Sequence, residues 1–442
     1  MASNTGQLGA ARLAAAAMGA VTLVLAYKGL GDITLFGTLL FIHAYMLFFS
    51  EVASFQIWQA LIRFGADEVK AKDAPRFASL LRTGVVIDAL AAIVAFLLAL
   101  GGFELFLALQ AKFSLIDTSA LLPEAQLRPL VTAYCTVILL RQVNVAIGVF
   151  RLFDKFSVLA LRALVMPGVR LIGVLIAMHL GWGLIGYLAV WYAASALSYL
   201  VLQIFAVREI AKRRFWGFVR KARICRPANF PGLYGFFMKT NIDSTLKALT
   251  ANFPAIAVTL MFGPALFAVY RVAEEVARLL SRGITLFDQV LFPELARMAA
   301  DLELSALMRT AGRAALGIGI IGLSLAAIVV LLGPTLLSGV LDAEFAASAG
   351  LAALLLLASA LLGVATPFYS VFYALFRPAT AIAVRAVGVI SFIGLFFALA
   401  GQLGLPAIGW AALIAAGLEV ILASLWATGL IRRKKTKAKA PQ

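Results

Sequence analysis

V-Y-R-V-A-E-E-V-A-R-L-L-S-R-G, residues Val269 to Gly283, stands between two apolar stretches, L-T-A-N-F-P-A-I-A-V-T-L-M-F-G before it and I-T-L-F-D-Q-V-L-F-P after it. At 100° per residue, Arg271, Glu274, Glu275, Arg278 and Arg282 recur at helical spacing and form one polar stripe, while Val272, Val276, Leu279 and Leu280 form an opposite face suited to lipid. Arg271 with Glu275 and Glu274 with Arg278 are i to i+4 pairs that can partly neutralise each other, which leaves Arg282 over. The stretch therefore reads as a membrane span with one wet face.

The rest of the chain supports a membrane setting. Of its 442 residues 63% are hydrophobic and 13% charged, against roughly 45 to 50% and about 25% in an ordinary soluble domain. Apolar runs long enough to cross a hydrocarbon layer of about 30 Å recur from end to end. The expectation is an all-α polytopic membrane protein with twelve spans, near 8–27, 33–61, 78–101, 129–150, 156–180, 184–207, 234–261, 265–291, 311–332, 346–375, 381–401 and 407–430. Polar residues make the second, seventh and eighth of these the ones a hydropathy window penalises. The N-terminal Ala-rich run, preceded by Arg12, resembles a secretion signal, but another span follows within a few residues, so it reads as a retained first span.

Charge orients the spans. Five Lys or Arg fall in 63–82, eight in 208–226 and six after Leu430, whereas Lys28, Lys112 and Arg128 are the main cations on the other side. The positive-inside bias then places both ends in the cytoplasm. The net charge of +17 is mostly topological, facing anionic inner-leaflet lipid, and spread over short loops it does not point to nucleic acid. Cys135 and Cys225 make neither a ligand cluster nor a disulfide framework.

The longest basic connection falls near the middle, giving a six-helix lobe over 1–207, a cytoplasmic linker over 208–233, a second six-helix lobe over 234–430 and a basic tail over 431–442. F-G-T-L-L-F-I at 36–42 and F-G-P-A-L-F-A at 262–268 share four of seven positions, a faint echo of two related halves. Trp216, Phe218 and Val219 among the linker cations suit a segment lying on the inner leaflet.

The seventh span repeats the polar device, with Lys239, Asp243 and Lys247 spaced by four and Thr240, Asn241 and Ser244 close by. Each ionised residue near mid-membrane costs about 2.5 to 3.5 kcal/mol on insertion scales, so two such rows are expected to face water or each other. Glu51, Asp88 and Arg141 are further buried polar candidates, and Pro254, Pro167 and Pro367 are candidate kinks. Across the two rows five cations (Lys239, Lys247, Arg271, Arg278, Arg282) face three anions (Asp243, Glu274, Glu275), a surplus that asks for an anionic ligand.

Twelve spans in two halves, the pattern V-Y-R-V-A-E-E-V-A-R-L-L followed by L-F-P-E-L-A-R-M, and the W-Q-A-L-I-R-F-G that ends the second span resemble the multidrug/oligosaccharidyl-lipid/polysaccharide (MOP) exporter superfamily. Within it the chain is most similar to the polysaccharide-biosynthesis branch of Wzx-type flippases. The resemblance implies a MATE-like V of two lobes that opens alternately to either side and moves a polyprenyl-pyrophosphate-linked oligosaccharide to the outer leaflet.

Lys239, Lys247, Arg271, Arg278, Arg282 and Arg141 are then expected to hold the anionic head group, since Arg offers forked donors to phosphate and Lys a point charge. Glu51, Asp88, Asp243, Glu274 and Glu275 are the candidates for binding a coupling H+ or Na+. No G-x-x-x-x-G-K-[ST] stretch exists, so ATP hydrolysis by this chain is not expected. A multidrug antiporter of the same superfamily would favour carboxylates over this cationic surplus. A membrane glycosyltransferase or polymerase would need more catalytic groups than His43, His179 and one external loop near 102–128 supply, so no enzyme is expected.

Overall fold

The computed structural model describes residues 2–113, 115, 123–226, 229–301, 303–340, 345, 348–375 and 377–439. Helix α1 (Ala2–Leu30) leads through Gly31 and Asp32 into α2 (Ile33–Val52). The Asp32 carboxylate caps α2 by accepting from the N–H groups of Thr34 and Leu35 at 2.7 and 2.8 Å. The second span does not continue to 61 as one rod: it breaks at 53–56, with Gln56 in the left-handed region (φ 44°), and resumes as α3 (Ile57–Lys70). Helix α4 (Ala74–Phe113) is the third span and runs past its expected end, into the stretch 102–128 read as a loop.

The fourth span is also discontinuous. It is built from α5 (Glu124–Cys135), the single turn α6 (Val137–Leu140) and α7 (Asn144–Leu152), with Arg141 to Val143 outside any helix. Helices α8 (Phe156–His179) and α9 (Leu184–Lys212) are the fifth and sixth spans, and the linker holds the short α10 (Trp216–Lys221).

Helix α11 (Leu233–Ala300) contains one non-helical residue, Gly263, at φ 76° and ψ 175°. Only glycine adopts that geometry without strain, and Pro264 after it cannot donate to the helical ladder. The carbonyl of Met261, freed there, accepts instead from the Leu115 N–H at 2.8 Å. The backbone stays helical at Pro254, so the break falls at Gly263 and not at the expected kink. Helices α12 (Leu304–Val340), α13 (Ser348–Ala374), α14 (Pro378–Leu403) and α15 (Pro406–Lys439) follow.

Among the described residues eleven helical stretches are long and apolar enough to cross a membrane. One of them, Leu233–Ile284, has 52 residues, about 78 Å of helix against a core of about 30 Å, and Gly263 divides it. The count is compatible with twelve crossings. Outward faces are apolar, as at Leu316, Ile320, Leu323 and Leu331 of α12, whereas the interior carries small residues that let helices approach, such as Ala91, Ala95 and Ala99 of α4.

The chain forms two compact units, Met1–Ala265 and Leu266–Gln442. The segment of α11 before Gly263 thus belongs with the first six spans, beyond the 208–233 linker. In unit 1 a core of Ile57, Leu61, Phe77, Leu81, Val149 and Phe237 ties α3, α4, α7 and α11 together, and the linker docks on it through Val219 and Cys225. In unit 2 Leu295, Leu307, Phe372, Val384 and Ala427 anchor a core built from α11 to α15.

Candidate functional site

In unit 1 the two broken spans lie beside one small cavity. Stopping a helix in mid-membrane frees carbonyls that lipid cannot satisfy. At the break after α2, Thr240 donates to the Phe55 carbonyl at 2.6 Å, Asn241 to those of Val52 and Ser54 at 3.1 and 3.2 Å, and Thr245 to that of Val52 at 2.9 Å. The Gln56 amide donates to Ser244 Oγ at 2.6 Å. Thr240, Asn241 and Thr245 of the seventh span are thus spent on the backbone of the second, and Ser244 on the Gln56 side chain.

The other break is closed in the same way. Gln203 of α9 donates to the carbonyls of Leu140 and Gln142 at 2.8 and 3.3 Å. Asp88 of α4 accepts from the Asn144 N–H at 3.0 Å and from its side-chain amide at 2.8 Å, which caps the first turn of α7.

The cavity, about 160 Å³, is lined by Ser50, Ser54, Asp88, Arg141, Asn144 and Arg162 among others. Arg141, in the gap itself, donates to Ser50 Oγ at 2.8 Å and meets Glu51 Oε1 at 3.4 Å. Glu51 also accepts from Asn252 at 3.1 Å. Arg162 of α8 has no hydrogen bond or ion pair to a carboxylate among the described residues. The arrangement presents two guanidinium groups while one carboxylate in the wall, Asp88, is occupied by Asn144. That is an environment for a small anion.

Deeper in unit 1, Arg170 donates to His43 Nε2 at 2.9 Å and to Ser195 Oγ at 3.3 Å, and His43 Nδ1 lies 2.8 Å from the Tyr134 hydroxyl. Arginine can only donate, so Nε2 is the accepting nitrogen and Nδ1 carries the proton given to Tyr134. Arg170 also lies over the Trp191 ring, 5.2 Å from its centroid.

The eighth-span row belongs to unit 2. Arg271 and Arg278 both donate to Glu274, the latter at 3.0 Å, and Arg282 donates to Glu275 at 2.7 Å. Two expectations change here: Arg271 pairs with Glu274 and not Glu275, and Arg282 is not left over, because its length lets it span two turns. The row keeps three cations on two anions, half-buried, and Arg282 retains a buried Nη1 without a partner among the described residues. Lys239 is exposed on α11 within unit 1. The side chains of Asp243 and Lys247 lie outside the described residues.

Comparison with known proteins bears on what this geometry belongs to. The family model described as "Polysaccharide biosynthesis protein" matches residues 1–299. The chain belongs to that family. A curated relative, "Inner membrane protein YghQ" of Escherichia coli (strain K12), is 23% identical over 343 residues, 77% of this chain and 92% of the relative. Among solved structures, an inward-facing multidrug resistance MATE family transporter of the MOP superfamily superposes with a TM-score of 0.75 at 12% identity, over 98% of this chain and 100% of that one. The lipid II flippase MurJ, in an inward closed conformation, gives 0.65 at 14% identity, over 98% of this chain and 93% of that one. The fold is the MOP superfamily fold that the sequence resembled.

For this family member the structure gathers Glu51, Asp88 and Arg141 at one place and sets Arg271, Glu274, Glu275, Arg278 and Arg282 along one helix of the other unit. Sequence reasoning passed over Arg162 and Arg170, two cations within the apolar 156–180 span, and Glu419 of α15, which is buried and accepts from the Tyr369 hydroxyl. Ionised residues inside apolar runs were the available signal.

The capping role of Asp88 is separable from ion binding. Asp88→Ala is expected to cost about 2 to 3 kcal/mol, the loss of charged hydrogen bonds to a buried helix start. Asp88→Asn, which keeps one acceptor, should lose less than half of that. Thermal unfolding of the purified protein measures both; equal losses would show that charge, not capping, is what the site needs.

Proposed function

We propose that the protein is an inner-membrane flippase that carries a polyprenyl-pyrophosphate-linked oligosaccharide from the cytoplasmic to the outer leaflet by alternating access, for polysaccharide export. The observation that carries this reading is Arg162, a guanidinium that lines a cavity beside Arg141 without a carboxylate partner among the described residues. At about 160 Å³ the cavity is below the range of about 300 to 1,000 Å³ that encloses a drug-sized ligand, so it suits a phosphate head and not the sugars. The family, and a fold shared with a lipid II flippase, support a lipid-linked substrate.

In this reading Arg271, Arg278, Arg282, Lys239 and Lys247 add cationic contacts along the route, both termini are cytoplasmic, and the two units open alternately. Coupling is assigned to Glu51, which holds Arg141. A proton or Na+ taken up by Glu51 releases the guanidinium for substrate, whereas Asp88 caps α7 and Glu274 and Glu275 pair with arginines of unit 2.

Translocation of lipid-linked oligosaccharide in proteoliposomes tests the reading. Arg141→Gln and Arg162→Gln are each expected to slow transport at least tenfold, about 1.4 kcal/mol. Arg128→Gln, on an exposed surface pair with Glu124, should change little. In the same assay Glu51→Gln should abolish the response to an ion gradient. Parent-like rates in both cavity variants would refute the proposal.

A further inference from the structure

Helix α4 carries two stripes with different chemistry. Asp88, Ala92 and Ala95 face the arginine cavity, while Ile87, Leu90, Val94 and Leu98 recur at three- and four-residue spacing around the helix and line a second, larger hollow. Phe237 and Met238 of α11 form its other wall, and the α2 break forms its floor. This groove has a volume of about 580 Å³. Leu90, Val94, Leu98 and Met238 are exposed, so in a bilayer it opens sideways towards the acyl chains.

Two residues, Ala53 and Ala91, line both the groove and the cavity. The apolar slot and the cavity that holds the guanidinium groups are therefore neighbours that share two alanines in their walls. The polar side chains of the groove, Tyr234, Asn241 and Thr245, donate to backbone carbonyls, Tyr234 to that of Cys225 and the other two to those of the broken second span, so the groove keeps few free donors for a sugar. A ligand that fills both spaces carries its negative charge at the end of a long hydrocarbon chain.

We propose that the groove between α4 and the first segment of α11 holds the polyprenyl chain of the lipid-linked substrate while its pyrophosphate sits at Arg141 and Arg162. The proposal rests on the head-group reading above and adds to it a lateral port in unit 1. Burying apolar chain against these residues supplies affinity at about 25 cal/mol per Å², and the arginines supply orientation. A diacyl phospholipid shares a phosphate and an apolar body, so the test must separate the two lipids.

The full-length protein in nanodiscs is irradiated with a benzophenone-bearing polyprenyl pyrophosphate, and the adducts are mapped by peptide mass. Adducts are expected within 87–98 and 234–245, displaced by unlabelled polyprenyl pyrophosphate but not by equal excess phosphatidylglycerol. Val94→Trp, a filling change at an exposed position, should lower the adduct yield at least tenfold. Leu105→Trp, exposed on the same helix outside the groove, should leave it unchanged.

Adducts spread over other outward faces, or displaced equally by phosphatidylglycerol, overturn the proposal. If they map elsewhere while binding of inorganic pyrophosphate still depends on Arg162, the groove assignment alone fails. If groove labelling keeps its full yield in the Arg141→Gln/Arg162→Gln double variant, the head-group reading fails and takes the substrate assignment with it.

Discussion

Glu274→Gln is expected to destabilise unit 2 by about 3 kcal/mol, at the lower end of what breaking a buried charge pair costs. One carboxylate serves two guanidinium groups, Arg271 and Arg278, and all three side chains are less than one-third exposed. The amide keeps the shape and removes the charge, which leaves two cations facing each other in a span. Tryptophan fluorescence during heating reports the change, because Trp410 and Trp426 lie in unit 2. A fall of roughly 6 to 12 °C is expected for a unit of this size. Removing the three charges together, with leucine at 271, 274 and 278, should recover part of the loss. A Glu274→Gln midpoint within 1 °C of the parent, on the order of 0.3 kcal/mol, would show that the row is fully hydrated and pairs for no energetic reason.

Gly37→Ala is the second large effect. A methyl group built on Gly37 runs into the backbone carbonyl of Pro264, immediately after the Gly263 break. A flexible side chain could swing aside, but a carbonyl in a Gly-Pro turn cannot, so α2 must move off the turn. The expected cost is about 3 kcal/mol, the upper part of the usual range for overpacking. Cys135 and Cys225 are both buried in unit 1, so a thiol-reactive dye that lights up on unfolding follows it directly. Gly101→Ala provides the contrast, since nothing lies within 4 Å of its added methyl and the helix gains about 1 kcal/mol of propensity. A parent-like midpoint for Gly37→Ala would mean that the two segments are not in contact. Gly37 and Gly263 are also the glycines of the two F-G stretches that echo each other in the sequence.

Much of this fold could be read from the chain because membrane spans are local: twenty apolar residues announce themselves without reference to anything else. The turn at Gly263 fell between two hydropathy windows, and the Gly-Pro pair gives it a local cause. The breaks at 53–56 and 141–143 had no such signal. V-A-S-F-Q and R-Q-V contain neither glycine nor proline, and what stabilises the breaks is donors supplied from elsewhere, by Thr240, Asn241 and Thr245 in one case and by Gln203 in the other. The polar row of the eighth span was legible as a face, since periodicity fixes a face. Its pairing was not, because i+3, i+4 and i+7 partners all lie within reach of an arginine. Arg162 was missed for a related reason: its meaning comes from the neighbour it shares a cavity with, Arg141, on a different span.

The interrupted second span has a consequence for how the protein is made. Its unpaired carbonyls find their donors 185 to 193 residues further along the chain, so they leave the ribosome long before those donors exist. Until the segment after Leu233 is inserted, the nascent chain must keep that stretch wound as ordinary helix or hold it at the headgroup layer. Biogenesis of the first unit is then a late, non-local event. A translation product ending at the linker should remain chaperone-bound and protease-sensitive, and one extended to Ala265 should not.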